Sequence, residues 1–90
     1  MDDEPIATRA TALMETAIDG DLVALDVERG TCFGFNATAT RIWTLLETPQ
    51  TVSALVETLG REFAVDRDRC RAEVEALLRQ LQGQGLITLS

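Results

Sequence analysis

The sequence predicts an α+β domain: an N-terminal three-stranded antiparallel β-sheet followed by three helices. Two turn signals and one change of period carry that expectation. Asp19-Gly20 and Glu28-Arg29-Gly30 separate short runs in which apolar and polar residues alternate, as hairpin strands do. From Asn36 onward the apolar residues recur every three or four positions, the spacing of a helix face, almost to the end of the chain.

Residues 1–7 are mostly polar, contain Pro5, and read as a loose tail. Between Thr8 and Ile18 the pattern favours a first strand, with Met14, Thr16 and Ile18 on one face and Leu13, Glu15 and Ala17 on the other. Leu22 to Val27 is the second strand, with Val23, Leu25 and Val27 expected inward and Ala24 and Asp26 outward. Thr31-Cys32-Phe33-Gly34-Phe35 is the third. Phe33 and Phe35 share a face and are assigned to the core. Sequential pairing puts this third strand at a sheet edge, where backbone N–H and C=O groups are left to accept another chain.

Asn36 suits an N-cap, because its side chain can accept from first-turn amides. Ile42, Trp43, Leu45 and Leu46 form the apolar face of a helix ending near Glu47, where Thr48-Pro49 breaks it. Thr51 caps a second helix on Val52, Leu55, Val56 and Leu59, with Phe63 as an expected core anchor. Asp66 caps a third, preceded by Val65 as a staple onto Cys70. Its stripe is Cys70, Val74, Leu77, Leu78 and Leu81, and Gly83 and Gly85 end it. Leu86 to Leu89 is a short final strand or an extended apolar tail. Three helices beside a small sheet make the expected architecture winged helix-turn-helix-like, in a single domain over residues 1–90.

Composition narrows the chemistry. The net charge is −7, every basic residue is arginine, and histidine and tyrosine are absent. The commonest general acid/base and metal ligand is therefore missing, and the reading is of a non-enzyme without cofactor or metal. An acidic chain repels phosphate, which counts against nucleic acid as a partner. The runner-up reading is a winged-helix DNA-binding regulator, but its second helix sets Arg61 against Glu57 and Glu62. The acidic N-terminus resembles no signal peptide and no apolar run is long enough to span a bilayer, so the expected compartment is cytoplasmic, with no membrane partner. Cys32 and Cys70 lack metal-ligand spacing and are expected to be reduced thiols; a disulfide between them requires strand and helix to bring them close.

The ordered set Asp19-Gly20, Leu22-Val23-Ala24-Leu25-Asp26, Gly30, Phe33-Gly34-Phe35-Asn36, Thr38 and Ile42-Trp43-x-Leu45-Leu46 resembles the PqqD-like family. Thr51-Val52-x-x-Leu55, Val65-Asp66 and Gly85-Leu86 continue the match over roughly residues 11–89. One departure is Ala39, where the family often has glycine; alanine is the better helix former. The resemblance implies a RiPP recognition element, which binds the leader region of a ribosomally made precursor peptide and delivers it to a processing enzyme. Standalone versions of this length occur in lasso-peptide systems, where the partner is a leader peptidase; others serve radical-SAM enzymes, as in pyrroloquinoline quinone assembly.

In that family the leader adds as a strand beside the third strand, in a groove bordered by the third helix. Carried onto this sequence, the expected peptide-binding residues are Thr31, Cys32, Phe33, Gly34 and Phe35, with Arg67, Arg71, Glu75 and Arg79 on the groove face and Val74 and Leu78 at its apolar floor. Arginines there would pair with acidic leader residues. The same residues also read as a plain solvated helix face, Arg67 with Arg71 and Glu75 with Arg79 being i, i+4 neighbours, and Leu78 fits core and groove floor equally.

Overall fold

The computed structural model describes residues 4–19 and 21–90. Nine elements follow in the order β1 (Ile6–Arg9), β2 (Met14–Ile18), β3 (Asp21–Asp26), β4 (Thr31–Phe35), α1 (Ala37–Leu45), β5 (Gln50–Thr51), α2 (Val52–Phe63), α3 (Arg67–Gly83) and β6 (Ile87–Leu89). They build two antiparallel sheets, β2-β3-β4 and β5-β1-β6, around one helical core.

The expected meander is present as β2-β3-β4, with Met14 opposite Leu25 and Leu25 opposite Cys32. Gly20 lies outside the described residues; its neighbour Asp19 adopts φ 52. The second sheet departs from expectation. The stretch read as a loose tail over residues 1–7 includes, from Ile6, the central strand β1, and Ala7 is completely buried. Thr8 to Ile18 is accordingly not one strand but the end of β1, a break, and β2. β1 pairs with β5 through Ile6 and Ala7 and with β6 through Ala7, Thr8 and Arg9. Its partners lie more than forty residues away in sequence and contribute two and three residues, so no local alternation announces them.

The face of β3 is inverted relative to the sequence expectation. Leu22, Ala24 and Asp26 are buried, whereas Leu25 and Val27 are exposed, at 38% and 62%. Two causes are visible. Phe35 and Phe33 stand opposite Leu22 and Ala24, and the bulk of these aromatics lets the facing strand carry an alanine inward. Asp26 is held by its own turn: Arg29 N–H donates to its Oδ1 at 3.2 Å, Arg29 Nε sits 3.6 Å from Oδ2, and Gly30 N–H donates to its carbonyl at 2.8 Å. A one-residue change in which set faces inward turns over a whole strand, and here the turn chemistry outweighs the apolar count.

The helices follow the sequence closely. Asn36 accepts from Ala39 N–H at 2.9 Å, Thr51 from Ala54 N–H at 3.1 Å and Asp66 from Arg69 N–H at 3.1 Å, so all three caps are made as expected. Ile42, Trp43, Leu46, Leu55, Val56, Leu59, Cys70, Val74, Leu78 and Leu81 form the core with Leu86 and Ile87. Phe35 packs on Trp43 with ring centroids 5.8 Å apart, which ties β4 to α1. Phe63 is not the expected anchor: it ends α2 half-exposed, because Ala64 turns left-handed at φ 51 and carries the chain away. Val65, expected as a staple onto Cys70, is 45% exposed and lines a small cavity together with Cys70. Cys32 is exposed, Cys70 is buried, and both are free thiols.

α3 ends in a Schellman arrangement. Leu86 N–H donates to Leu81 C=O and Gly85 N–H to Gln82 C=O, both at 3.0 Å, with Gly85 at φ +76. Leu86 and Leu81 are both buried there, the apolar contact that accompanies this motif.

Candidate functional site

Among the described residues β4 pairs only with β3, so its other edge is open. In an antiparallel ladder successive residues alternate in the direction of their N–H and C=O groups; those not used by β3 point to that edge. Asn36 stops the strand by starting α1, and Gly30, at φ +67, starts it by closing the hairpin.

Across the open edge stands α3. A cavity of about 250 Å³ lies between them, lined on the strand side by Cys32, Phe33, Gly34 and Phe35 and on the helix side by Leu77, Gln80, Leu81 and Gln84. Asn36 and Ala39 line its α1 end. A volume below the roughly 300–1,000 Å³ of small-ligand pockets suits a few side chains of an extended chain better than a cofactor. The groove continues along α3: Asn36 and Leu77 also line a shallower depression with Thr38 and Glu73. Thr38 and Glu73 in turn border an apolar cavity containing Leu59, Phe63, Val65 and Cys70. From Glu73 to Gln84 the helix advances about 16 Å, close to the span of about five strand residues.

The hairpin tip is tied to the far wall. Arg29 Nη1 donates to Gln84 C=O at 3.0 Å while its Nε faces Asp26, bridging the β3–β4 turn to the C-terminal end of α3. A Cβ on Gly85 would lie 2.7 Å from that Nη1, so this position needs glycine both for its left-handed backbone and for the bridge.

The strand residues expected at the site are brought to this groove, with the exception of Thr31, which pairs with Asp26 and does not line the cavity. The helix residues expected at the site do not line this groove. Val74 and Leu78 are 2% and 1% exposed and belong to the core, not to a groove floor. Arg71 leans the other way, 3.3 Å from Glu4 and 3.4 Å from Glu75. Arg79 Nε reaches the Glu75 carbonyl at 3.4 Å, and Arg67 opens α3 without lining the groove. The physical reason is rotational. The apolar stripe of α3 has two flanks, and periodicity does not say which one the sheet covers. The strand lies along the flank of Glu73, Leu77, Gln80 and Gln84, not that of Arg67, Arg71, Glu75 and Arg79. The sequence did carry a hint: Gln80 within α3 and Gln84 at its C-cap are neutral amides at the end of a helix otherwise rich in charge.

No group of carboxylate, cysteine or histidine side chains suited to a metal ion occurs among the described residues, and no helix among them is long and apolar enough to cross a membrane.

The model of the family described as coenzyme PQQ synthesis protein D (PqqD) matches residues 21–87. The chain belongs to the PqqD family. That span runs from β3 into β6 and includes both walls of the groove. This PqqD-family chain is also similar to a solved structure of TbiB1 in complex with the TbiA(beta) leader peptide. The two share 31% sequence identity over 89% of this chain and 93% of that one, with a TM-score of 0.78. A search of curated proteins found no match. The α+β, winged-helix-like architecture read from the sequence is the fold of this family member.

Proposed function

We infer that this protein is a RiPP recognition element that binds the leader region of a precursor peptide. The observation that carries this is the open edge of β4 facing α3 across an elongated groove. An extended segment pairing with Cys32 to Phe35 gains main-chain hydrogen bonds with little demand on its sequence, and its alternate side chains enter the groove. An interface of this kind buries on the order of 1,000–1,600 Å², within the range of specific complexes. The similarity to TbiB1, solved with a leader peptide, supports the same reading. The bound leader is then handed to a processing enzyme, a lasso-type leader peptidase or a radical-SAM enzyme, which the recognition element serves without catalysing a step itself.

The test is an amide-shift titration with the TbiA(beta) leader peptide and, in parallel, duplex DNA. Shifts are expected at residues 31–36 and along Leu77, Gln80, Leu81 and Gln84. A peptide response confined to other surfaces, or a salt-dependent response to DNA alone, would sink the reading.

A further inference from the structure

The groove that receives the strand is lined by apolar side chains and amides, with no cation among them. From this we propose that the segment taken up by β4 is uncharged along the stretch it pairs with, and that the groove rejects acidic side chains there. The proposal rests on the strand-addition reading and specifies its ligand.

A strand laid on β4 presents its side chains alternately to two faces. Those pointing inward meet Phe33, Phe35 and Leu77, with Gln80 and Gln84 offering amide donors and acceptors. Those pointing outward continue the cross-strand row Met14–Leu25–Cys32, whose first two members are exposed apolar residues. Opposite Cys32 to Phe35 neither face offers a carboxylate a cationic partner, and Arg69, one turn before Glu73 on the same flank of α3, is 3.5 Å from Glu73 beyond the paired stretch. Arg29, at one end of the groove, is engaged by Asp26 and the Gln84 carbonyl, and Arg71 lies on the other flank of α3 against Glu4 and Glu75. At the other end Asp19 and Asp21 lie beside Gly34 and Asn36 on the outer side, and Glu73 lies beside Asn36 across the groove. A leader carboxylate would exchange water for amides and apolar surface with no charge to meet it, while the field of a chain at −7 opposes its approach. Serine, threonine, glutamine and aliphatic side chains meet no such cost.

Panning a displayed library of random peptides against the intact protein tests this without a presumed ligand. In about 1 M salt the screening length is about 3 Å, so the long-range field is removed and the groove alone selects. Aspartate and glutamate are expected to be depleted at least about fivefold in the paired stretch, the lower end of the cost of an unsatisfied buried group. A parallel selection on Gln80→Arg, an exposed helix position, should restore them. Enriched peptides that carry acidic residues on the parent protein would overturn the proposal and leave strand addition standing. If no peptide is enriched, or if enriched peptides fail to shift residues 31–36, the strand-addition reading itself falls and the proposal with it.

Discussion

At Gly85 a backbone angle of +76° and a guanidinium 2.7 Å from the absent Cβ act on one residue. Gly85→Ala is therefore expected to cost about 1–2 kcal/mol from the left-handed backbone alone, with displacement of Arg29 in addition. At about 4–8 °C per kcal/mol for a domain of this size, thermal unfolding followed by circular dichroism will register it. Arg71 is a second instructive residue. Read from sequence it faces an acidic leader; in the structure it sits between Glu4, whose side chain is 7% exposed, and the half-buried Glu75. Glu4 also accepts from Ser53 N–H at 2.6 Å and Ser53 Oγ at 2.9 Å, fastening the chain before β1 to the start of α2. Arg71→Glu places a third carboxylate in that cluster. The expected result is a loss of stability of about 1–2 kcal/mol with leader affinity unchanged; calorimetry and a peptide titration on the same variant separate the two.

Among the elements, β4 carries the sharpest test. If the Gly34 N–H points to the open edge, Gly34→Pro removes a bond to the leader and leaves the sheet intact. If that N–H belongs to the β3 ladder, the same substitution unfolds β2-β3-β4. A folded variant that binds the leader as the parent does contradicts strand addition. The helices were legible in sequence because their information is local: a cap such as Asn36, Thr51 or Asp66 and an apolar repeat lie within one or two turns of each other. β4 was legible for the same reason, bounded by Gly30 and Asn36. β1 was not, since its neighbours are the two-residue β5 and three-residue β6, and only the folded chain brings them together. The groove was half legible. Its strand wall follows from alternation, but its helix wall depends on how α3 is rotated against the sheet, a property of packing that no single element contains.

For the molecule as a whole, charge sets the response to pH. Arg41 on α1 holds Glu62 on α2 through hydrogen bonds of 2.6–3.1 Å. Those bonds, reinforced by the direct charge attraction and opposed by desolvation, depress the Glu62 carboxyl below its ordinary value. A carboxyl lowered on folding stabilises the native state above its unfolded pKa, and the contribution disappears as pH falls through the folded one. Glu62→Gln is thus expected to make stability less steep in the acid range below the ordinary carboxylate value, with little change near neutrality; denaturant midpoints taken across that range will show it.

The Arg29 bridge between the hairpin tip and Gln84 has a kinetic side. It joins the two walls of the groove at one end by bonds the chain makes with itself, so a leader does not have to assemble the cleft as it arrives. For a receptor built this way, different leaders reach the complex at rates within about one to three decades of one another, and the spread in affinity lies in how long each one stays. A receptor that captures its peptides at similar speeds and sorts them by residence time makes its selection after the encounter, not during it.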